Sequence, residues 1–500
     1  MNAWSGIPGA SRLVVVSNRV APITEGQPMA GGLAAGVMDA LRQRGGLWFG
    51  WSGEIAEGAA SASLREQAAG PVTLFTTDLS RADYDAFYRG FANGTLWPVL
   101  HGQTGLSRFD RAEFAGYRRV NAQFARSLAG LVRGNDLIWA HDYHLFCLAD
   151  ALRREGVGNR MGLFLHTPFP APQVLMTVPV HAELIRALCQ FDVIGFQTEA
   201  DRTAFRDYVL RHGGGQPLTE DRLLAFGRLI DTGVYPIGVH VDEVRAQAIA
   251  SANRPEAVAL RRSLGDGALV MSVDRLDYSK GLRERFGAYE RFLEQRPERR
   301  GRATFLQIAP PSRSDIETYQ AIRRELEAEA GRINGRFAEL DWMPIRYLNK
   351  GFPRSVLMPL YAEAQVGLVT PLRDGMNLVA KEYVAAQNPE NPGVLVLSQF
   401  AGAACELDAA LIVNPFDPAE TAEALETALA MPLAERRERH TAMLQVMRRN
   451  SLDRWRDRFV ADLAAPAQTA SATPSWPGSA PPSRPFSVTR MPWTEAKPNV

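Results

Sequence analysis

The feature that most constrains the fold is a repeated alternation of short apolar runs with amphipathic segments. The runs are rich in Val, Ile, Leu and Phe and end in polar loops, which is typical of strands buried on both faces of a sheet. They occupy residues 12–19, 136–140, 162–165, 191–196, 268–273, 304–308, 345–348, 366–369 and 394–397.

Amphipathic helices are predicted between these runs. The longest apolar stripe recurs at spacings of three and four, and consists of Phe114, Tyr117, Val120, Phe124, Leu128 and Leu131. Further helices are expected after Gly31 and Gly32, from about Glu199, and after Gly281. Strands that alternate with helices predict parallel sheets covered on both faces.

The alternation restarts after residues 236–238, so we predict an α/β protein with two doubly wound, Rossmann-like domains. A chain of 500 residues is too long for one ordinary core, which agrees with this division. The first domain is assigned to residues 1–240 and the second to 241–464. Residues 213–232 fit no recognisable motif. The Pro- and Ser-rich segment 465–500 is predicted to be a disordered tail.

Composition excludes several classes of function. Lys and Arg number 56 against 55 Asp and Glu, so the chain has no global field that attracts nucleic acid or a membrane surface. Its three cysteines, Cys147, Cys189 and Cys405, are far apart and indicate reduced thiols in place of disulfides or zinc ligands. No apolar run approaches the ~20 residues that span a bilayer. We therefore expect a soluble, cytoplasmic protein without nucleic-acid or membrane partners.

The loop at residues 274–282 combines two cations with a glycine that opens a helix. Arg275 and Lys280 follow the strand 268–273, and Gly281 precedes the helix. Two cations and free helix-terminal amides around one point suit a diphosphate group. The alternative is a surface loop with solvated charges, but the strand-to-helix position favours binding.

A second polar segment, residues 370–382, also leads from a strand through a loop into a helix. Asp374 and Glu382 are eight positions apart, about two helical turns, so both carboxylates can face one cleft. One could hold sugar hydroxyls and the other a ribose diol. The alternative reading is a helix cap at Asp374 and an exposed helix residue at Glu382.

Histidines follow two neighbouring strands, as His141, His144 and His166, with Asp142 beside the first. The spacing matches no metal-binding motif, so polar contacts to a sugar are favoured over a metal site. The acidic segment 83–85 resembles an acidic motif by which some sugar-transferring enzymes hold a divalent ion, but its helical setting favours a solvated face. The aromatic residues Trp51, Tyr88 and Trp97 could pack on sugar C–H surfaces, whereas Trp48 is assigned to the core.

Several long motifs follow one another along the chain in the order found in a known family. By these motifs the sequence resembles the trehalose-6-phosphate synthases, which are retaining glycosyltransferases of family 20. These motifs are SNR at 17–19, AGGL at 30–33, WFGWSG at 48–53, LWP at 96–98, HDYHL at 141–145, HTPFP at 166–170, RLDYSKG at 275–281 and PLRDGMNLVAKEYVAAQ at 371–387. The resemblance covers residues 12–463. It implies the GT-B fold, in which two Rossmann-like domains face a deep cleft.

The resemblance also implies residue roles. The donor nucleotide sugar would be bound by Gly31, Gly32, Arg275, Lys280, Phe352, Asp374, Gly375, Met376, Asn377, Leu378, Val379 and Glu382. The acceptor sugar phosphate would be bound by Arg19, Trp51, Tyr88, Trp97, Asp142 and Arg313. The residues expected at the reacting centre are Arg275, Lys280, His166 and Asp374. No metal or other cofactor is expected, since the nucleotide sugar is itself a substrate.

The implied reaction moves glucose from a nucleotide donor to glucose 6-phosphate, with retention, in trehalose biosynthesis. UDP-glucose is the donor that the family suggests, while GDP and ADP donors stay open. A homo-oligomer, dimer or tetramer, and a role in stress responses are also expected. Two alternatives remain: a transferase with another acceptor, such as glycerol phosphate, or one that forms a C–N link; and a catalytically silent sugar-phosphate sensor.

Overall fold

The computed structural model describes residues 12–20, 37–38, 41–42, 45–56, 64–313 and 316–466. The predicted donor glycines Gly31 and Gly32, and almost all of the tail predicted at 465–500, lie outside these ranges. The described residues up to Ala464 form one compact unit. The domain division at residue 240 stays a prediction.

The first sheet has ten strands in the order β3-β4-β2-β1-β5-β6-β7-β10-β9-β8. Its central pairings are parallel, and the pairings β3/β4, β9/β10 and β8/β9 at the two edges are antiparallel. The strands are β1 (Leu13–Arg19), β2 (Gly46–Ala56), β3 (Arg65–Ala69), β4 (Val72–Ser80), β5 (Leu137–His141), β6 (Met161–Phe164), β7 (Val193–Phe196), β8 (Gln216–Pro217), β9 (Arg222–Ala225) and β10 (Arg228–Val234).

The second sheet has six strands, all parallel, in the order β13-β12-β11-β14-β15-β16. Its central strands are buried along their length because helices cover both faces. The strands are β11 (Ala268–Val273), β12 (Ala303–Ile308), β13 (Ile345–Leu348), β14 (Val366–Val369), β15 (Val394–Ser398) and β16 (Leu411–Val413).

Helices connect the strands on both sheets. Those of the first half are Arg81–Asp83, Trp97–Leu100, Arg111–Ala129, Leu148–Arg154, Pro172–Leu175, His181–Leu188 and Glu199–His212. Those of the second half are Val241–Ala250, Pro255–Leu264, Leu282–Gln295, Glu317–Phe337, Arg354–Glu363, Leu378–Ala386, Pro418–Ala430, Leu433–Arg449 and Leu452–Ala464. None of the helices in the described ranges combines the length and apolar character that crossing a bilayer requires.

A π-helix, Tyr84–Leu96, joins two short α-helices after β4. Such wide turns are uncommon and occur often at functional sites. The segment presents Tyr88 and leads directly into Trp97, two of the predicted acceptor residues.

The helix at the end of the described chain, Leu452–Ala464, packs on the first sheet although it follows the second. The ring of Phe459 stacks on Trp139 of β5, with centroids 5.0 Å apart, and Trp455 packs beside it. Gly162 and Gly195 make room, because a Cβ at either would lie 2.8 Å from the Phe459 ring. This helix therefore ties the two sheets together.

The predicted alternation is confirmed for the central strands, and β11, β13 and β14 begin and end where the apolar runs do. The stripe from Phe114 to Leu128 lies on the buried face of the helix Arg111–Ala129. Residues 213–232, which fit no motif, contain β8, β9 and most of β10. Trp48 is a core residue, as predicted.

Candidate active site

The loop after β11 is built around a buried aspartate. Asp277 accepts hydrogen bonds from the Ser279 amide at 3.0 Å and from the indole Nε1 of Trp97 at 3.3 Å. Gly281 has φ 66°, and a Cβ there would lie 2.4 Å from the carbonyl oxygen of Thr370. The glycine thus lets this loop approach the loop after β14. It also caps the helix Leu282–Gln295, so the predicted helix start is confirmed.

Arg275 and Lys280 occupy opposite ends of this loop. Arg275 is exposed, and its guanidinium carbon lies 5.8 Å from the centroid of the Trp97 ring. Lys280 is mostly buried, and its ammonium lies 2.5 Å from a carboxylate oxygen of Asp374. The same oxygen accepts a hydrogen bond of 3.0 Å from the side-chain amide of Asn377. The structure therefore brings Lys280 and Asp374 together, two of the residues expected at the reacting centre.

Asp374 and Glu382 are not two turns apart on one helix, as predicted, because the helix begins only at Leu378. Asn377, with φ 74°, caps this helix by accepting from the Ala380 amide, so Asp374 is not the cap either. Glu382 lies within the helix and pairs with Arg354 at 3.1 Å. Burial raises the pKa of the Glu382 carboxyl, and the nearby Arg354 opposes the rise.

The remaining predicted donor residues lie close to this helix. Gly375 and Met376 are buried in the loop, Leu378 and Val379 are half-buried in the first helical turn, and Phe352 packs beside the same core. A Cβ at Gly375 would lie 1.9 Å from the carbonyl oxygen of His166, and a Cβ at Gly402 would lie 1.9 Å from the carbonyl oxygen of Gly375. Only glycines permit this stacking of three backbone segments.

His166 follows β6, and its carbonyl oxygen packs against Gly375 in the loop after β14. Its Nε2 lies 3.1 Å from Nδ1 of His141 at the end of β5. Burial lowers the pKa of His166 to about 3 and that of His141 well below its usual value, with a smaller contribution from His166. Both imidazoles are therefore neutral at neutral pH.

Asp142 lies between these two histidines in sequence and has φ 74°, which is uncommon for a residue other than glycine. Its carboxylate accepts from the His166 amide at 3.2 Å. Burial raises the pKa of Asp142 to about 6, against the opposing effects of backbone N–H groups and Arg275. Strained backbone around a buried acid is characteristic of functional sites.

Trp97 connects the first sheet's elements to those of the second. Arg275 lies over its ring, the guanidinium carbon of Arg313 lies 4.1 Å from its centroid, and its Nε1 donates to Asp277. The predicted acceptor indole is thus in direct contact with the cationic loop predicted to bind the donor.

Arg313 is almost fully buried and has φ 48°. Its guanidinium donates to Asp277 at 2.9 Å, to the Tyr319 hydroxyl at 2.5 Å and to the Tyr143 hydroxyl at 3.2 Å. Sequence reasoning missed these three partners. Asp277 belongs to the RLDYSKG motif, which could have marked it, whereas Tyr319 lies in a helix without any motif.

The other predicted acceptor residues form an aromatic wall. The Trp51 ring lies 5.9 Å from Tyr88, the Arg19 guanidinium lies 5.9 Å from Trp51, and Tyr88 stacks on His144 with an interplanar angle of 10°. His144 is buried, and neither ring nitrogen has a hydrogen-bond partner in the described residues. The wall reaches Trp97 through Tyr143, whose ring contacts both His144 and Trp97.

In the acidic segment 83–85, the ring of Tyr84 packs on Trp51 and Tyr88, whereas the two carboxylates pair with arginines. Asp83 pairs with Arg119 and Asp85 with Arg89, as expected for a solvated face. Across the described ranges, no three His, Cys, Asp or Glu side chains converge in a way that could hold a metal ion. Cys147, Cys189 and Cys405 are free thiols.

Comparisons with known proteins place this geometry in a family. The profile of glycosyltransferase family 20 matches residues 12–465. A trehalose-6-phosphate synthase from Klebsiella pneumoniae subsp. pneumoniae is 52% identical over 453 residues, which cover 91% of this chain and 95% of that protein.

Two solved structures are similar in fold as well as sequence. One is an alpha,alpha-trehalose-phosphate synthase (UDP-forming) from Burkholderia xenovorans in complex with glucose-6-phosphate, with 55% identity, a TM-score of 0.88 and coverage of 91% of this chain and 100% of that one. The other, described as trehalose-6-phosphate from E. coli bound with UDP-2-fluoro glucose, has 50% identity, a TM-score of 0.87 and coverage of 91% and 99%. The predicted fold class is confirmed.

Proposed function

The chain belongs to glycosyltransferase family 20, and on that premise we propose that it transfers glucose from UDP-glucose to glucose 6-phosphate. The products are UDP and α,α-trehalose 6-phosphate, with retention at the transferred carbon. Its relatives support both substrates, since one is a UDP-forming synthase in complex with glucose-6-phosphate and another is bound with UDP-2-fluoro glucose.

The contact between Arg275 and Trp97 gives the proposal its strongest support. The exposed Arg275, assigned to the donor diphosphate, lies over the ring of Trp97, assigned to the acceptor. Donor and acceptor would therefore meet at this contact, with His166 and Asp374 beside them through the packing of Gly375 on His166. Arg275, His166 and Asp374 follow the carboxyl ends of β11, β6 and β14, where ligands bind in doubly wound sheets.

The chemistry follows from the charges. When the bond between glucose and the diphosphate breaks, negative charge grows on the leaving oxygen. Arg275 and Lys280 would stabilise that charge electrostatically, and they need no reorganisation because the fold already holds them. Lys280 is paired with Asp374 in the structure, so its ammonium is in place before the diphosphate binds.

The acceptor hydroxyl attacks from the same face as the departing diphosphate and gives its proton to the leaving phosphate oxygen. One C–O bond forms, one breaks and the proton ends on UDP, so no protein nucleophile is needed. Asp142 would orient the acceptor sugar, and Glu382 the donor ribose. No metal takes part in this scheme.

An acceptor and donor panel tests the proposal. Purified protein is incubated with UDP-, GDP- or ADP-glucose and with glucose 6-phosphate, glycerol phosphate or an amino sugar, and nucleotide release and product are measured. We expect UDP release only with glucose 6-phosphate, and α,α-trehalose 6-phosphate as the product. Release with glycerol phosphate, or no release with any pair, would contradict it.

A further inference from the structure

The rings of the buried His141 and the half-buried His166 are joined by a hydrogen bond. His141 ends β5, and His166 lies two residues beyond β6, the strand paired with β5. Nδ1 of His141 and Nε2 of His166 are 3.1 Å apart, and the ring centroids are 5.3 Å apart. His141 is 1% exposed.

Aromatic rings enclose the pair. The ring centroid of Trp139 lies 4.5 Å from His141, that of Phe164 lies 4.7 Å from His166, and Trp455 contacts both histidines at 6.2–6.3 Å. Because Trp455 comes from the helix that returns to the first sheet, the enclosure depends on both halves of the chain.

Only one proton can lie between the two nitrogens. Burial keeps both imidazoles neutral, and a neutral imidazole carries one N–H and one lone pair. Either His141 donates from Nδ1 to Nε2 of His166, or His166 donates from Nε2 to Nδ1 of His141. In the first arrangement, Nε2 of His141 is a bare lone pair and Nδ1 of His166 carries a proton. In the second arrangement, Nε2 of His141 carries the proton and Nδ1 of His166 is bare.

The surroundings of Nε2 of His141 decide between the two arrangements. Its Nε2 is buried and has no hydrogen-bond partner among the described residues. If His166 were the donor, this Nε2 would carry an N–H buried without an acceptor. Orphaned buried N–H groups are rarer than unsatisfied acceptors, so the bare lone pair is the better state for this position.

We propose that His141 is a positioning residue that donates from Nδ1 to Nε2 of His166 and so fixes the proton of His166 on Nδ1. Among the described residues, Nδ1 of His166 has no hydrogen-bond partner either, but His166 is only half-buried and its Nδ1 is not among the buried nitrogens without a partner, so an N–H there can be satisfied by solvent or substrate. A protonated Nδ1 is a donor, suited to an oxygen of the transferred sugar and unable to act as a base there. This last step rests on the proposed function, whereas the tautomer does not.

Nitrogen-15 NMR of histidine-labelled protein tests the tautomer directly. The chain has eight histidines, so the His166 signals are assigned by their loss in His166→Gln. We expect a protonated Nδ1 and a bare Nε2 at His166 in the wild type, and a mixture of tautomers in His141→Phe. A protonated Nε2 in the wild type, or unchanged signals in His141→Phe, would overturn the proposal.

The variant His141→Asn separates the effect of the donated N–H from the effect of ring packing. The amide nitrogen of Asn sits close to the place of histidine Nδ1, so His141→Asn should keep the single tautomer at His166. His141→Phe should lower kcat roughly ten- to hundredfold, the scale for losing the partner that orients a functional histidine, with little change in the acceptor KM. His141→Asn should recover most of that loss.

Equal losses in the two variants would contradict the role of the N–H. His440, which is buried and contacts the Val384 carbonyl oxygen, provides the control, and His440→Asn should leave the His166 signals unchanged. If the wild type transfers no glucose, the proposed function fails, and the spectra still decide the tautomer.

Discussion

The ammonium of Lys280 lies 2.5 Å from a carboxylate oxygen of Asp374, so a cation from the loop after β11 is held by an anion from the loop after β14. Both side chains are close to nine-tenths buried. In the proposed reaction, Lys280 binds the diphosphate and Asp374 binds the transferred glucose. The ion pair therefore orders two groups that act on opposite sides of the bond that breaks.

Asp374→Ala should separate nucleotide binding from glucose transfer. Without the carboxylate, Lys280 loses its partner and is free to bind a diphosphate. The negative charge of Asp374, which repels the diphosphate, is also removed. UDP should therefore bind at least as tightly as to the wild type. The kcat/KM for transfer should fall roughly ten- to hundredfold, the scale of one lost hydrogen bond to a charged group. Titration calorimetry with UDP and initial-rate kinetics measure the two effects, and parallel losses in both would count against the assignment.

Gly375→Ala should disturb the contact between the two halves of the site. A Cβ at Gly375 would lie 1.9 Å from the His166 carbonyl oxygen, so one backbone segment must shift. We expect a loss of about 1–3 kcal/mol in the free energy of unfolding, together with a large loss of kcat. Urea unfolding and transfer assays test this.

The matched control is Gly287→Ala. Gly287 lies within the helix Leu282–Gln295, and nothing lies within 4 Å of a Cβ built there. Alanine should stabilise that helix by about 0.4–1 kcal/mol and leave activity unchanged. If Gly375→Ala behaves like this control, the close packing does not hold the site together.

Acidification should weaken acceptor binding through Asp142. Its pKa is raised to about 6 by burial, so the carboxylate is ionised at pH 7–8 and becomes neutral as the pH falls through 6. Asp142→Asn imitates the neutral form. The ratio of the variant's KM for glucose 6-phosphate to that of the wild type should therefore be large at pH 8 and approach one near pH 5.

Taking the ratio removes the titration of the sugar phosphate itself, whose second pKa lies near 6 in both assays. Steady-state kinetics over this pH range supply the values. A ratio that does not change with pH would show that the charge of Asp142 plays no part in acceptor binding.

Lys381→Met should destabilise the fold without touching substrate. Lys381 is fully buried, donates to the Ile237 carbonyl oxygen at 2.7 Å and pairs with Glu406. Removing the ammonium leaves a buried carboxylate without its cation, which costs about 3–5 kcal/mol. Lys381→Met/Glu406→Leu should recover part of that loss.

Denaturant unfolding measures both variants, with Lys350→Met as the control. Lys350 is exposed, so its replacement should change the free energy of unfolding by no more than about 0.5 kcal/mol. Equal stability of the Lys381 and Lys350 variants would contradict a structural role for the buried pair.

The central strands were predictable because their apolar runs are continuous, as burial on both faces requires. The strands β8 to β10 were not, because β8 is exposed and β9 and β10 are only alternately or partly buried. They pair antiparallel with one another, and β10 alone joins them to the parallel part of the sheet through β7. Short half-buried strands lack the continuous apolar signal, and the polar residues of 213–232 conceal them.

The candidate site was predictable where motif residues follow strands, as with Arg275, Lys280 and Asp374. Their partners depend on packing between distant segments. Trp97 and Asp277 are 180 positions apart in sequence yet hydrogen-bonded, and no local pattern encodes that contact. The loop geometry of Asp374 was likewise hidden, because an eight-residue spacing does not reveal that the helix begins at Leu378.

The most direct test of the proposed mechanism is the rate of UDP release by Arg275→Ala with UDP-glucose and glucose 6-phosphate. The control is Arg283→Ala, an exposed arginine nearby that pairs with Glu325. The mechanism predicts that kcat falls about 10²–10³-fold in Arg275→Ala, the scale of one lost electrostatic contact to the transition state, and stays at the wild-type value in the control. Near-normal turnover by folded Arg275→Ala would contradict it.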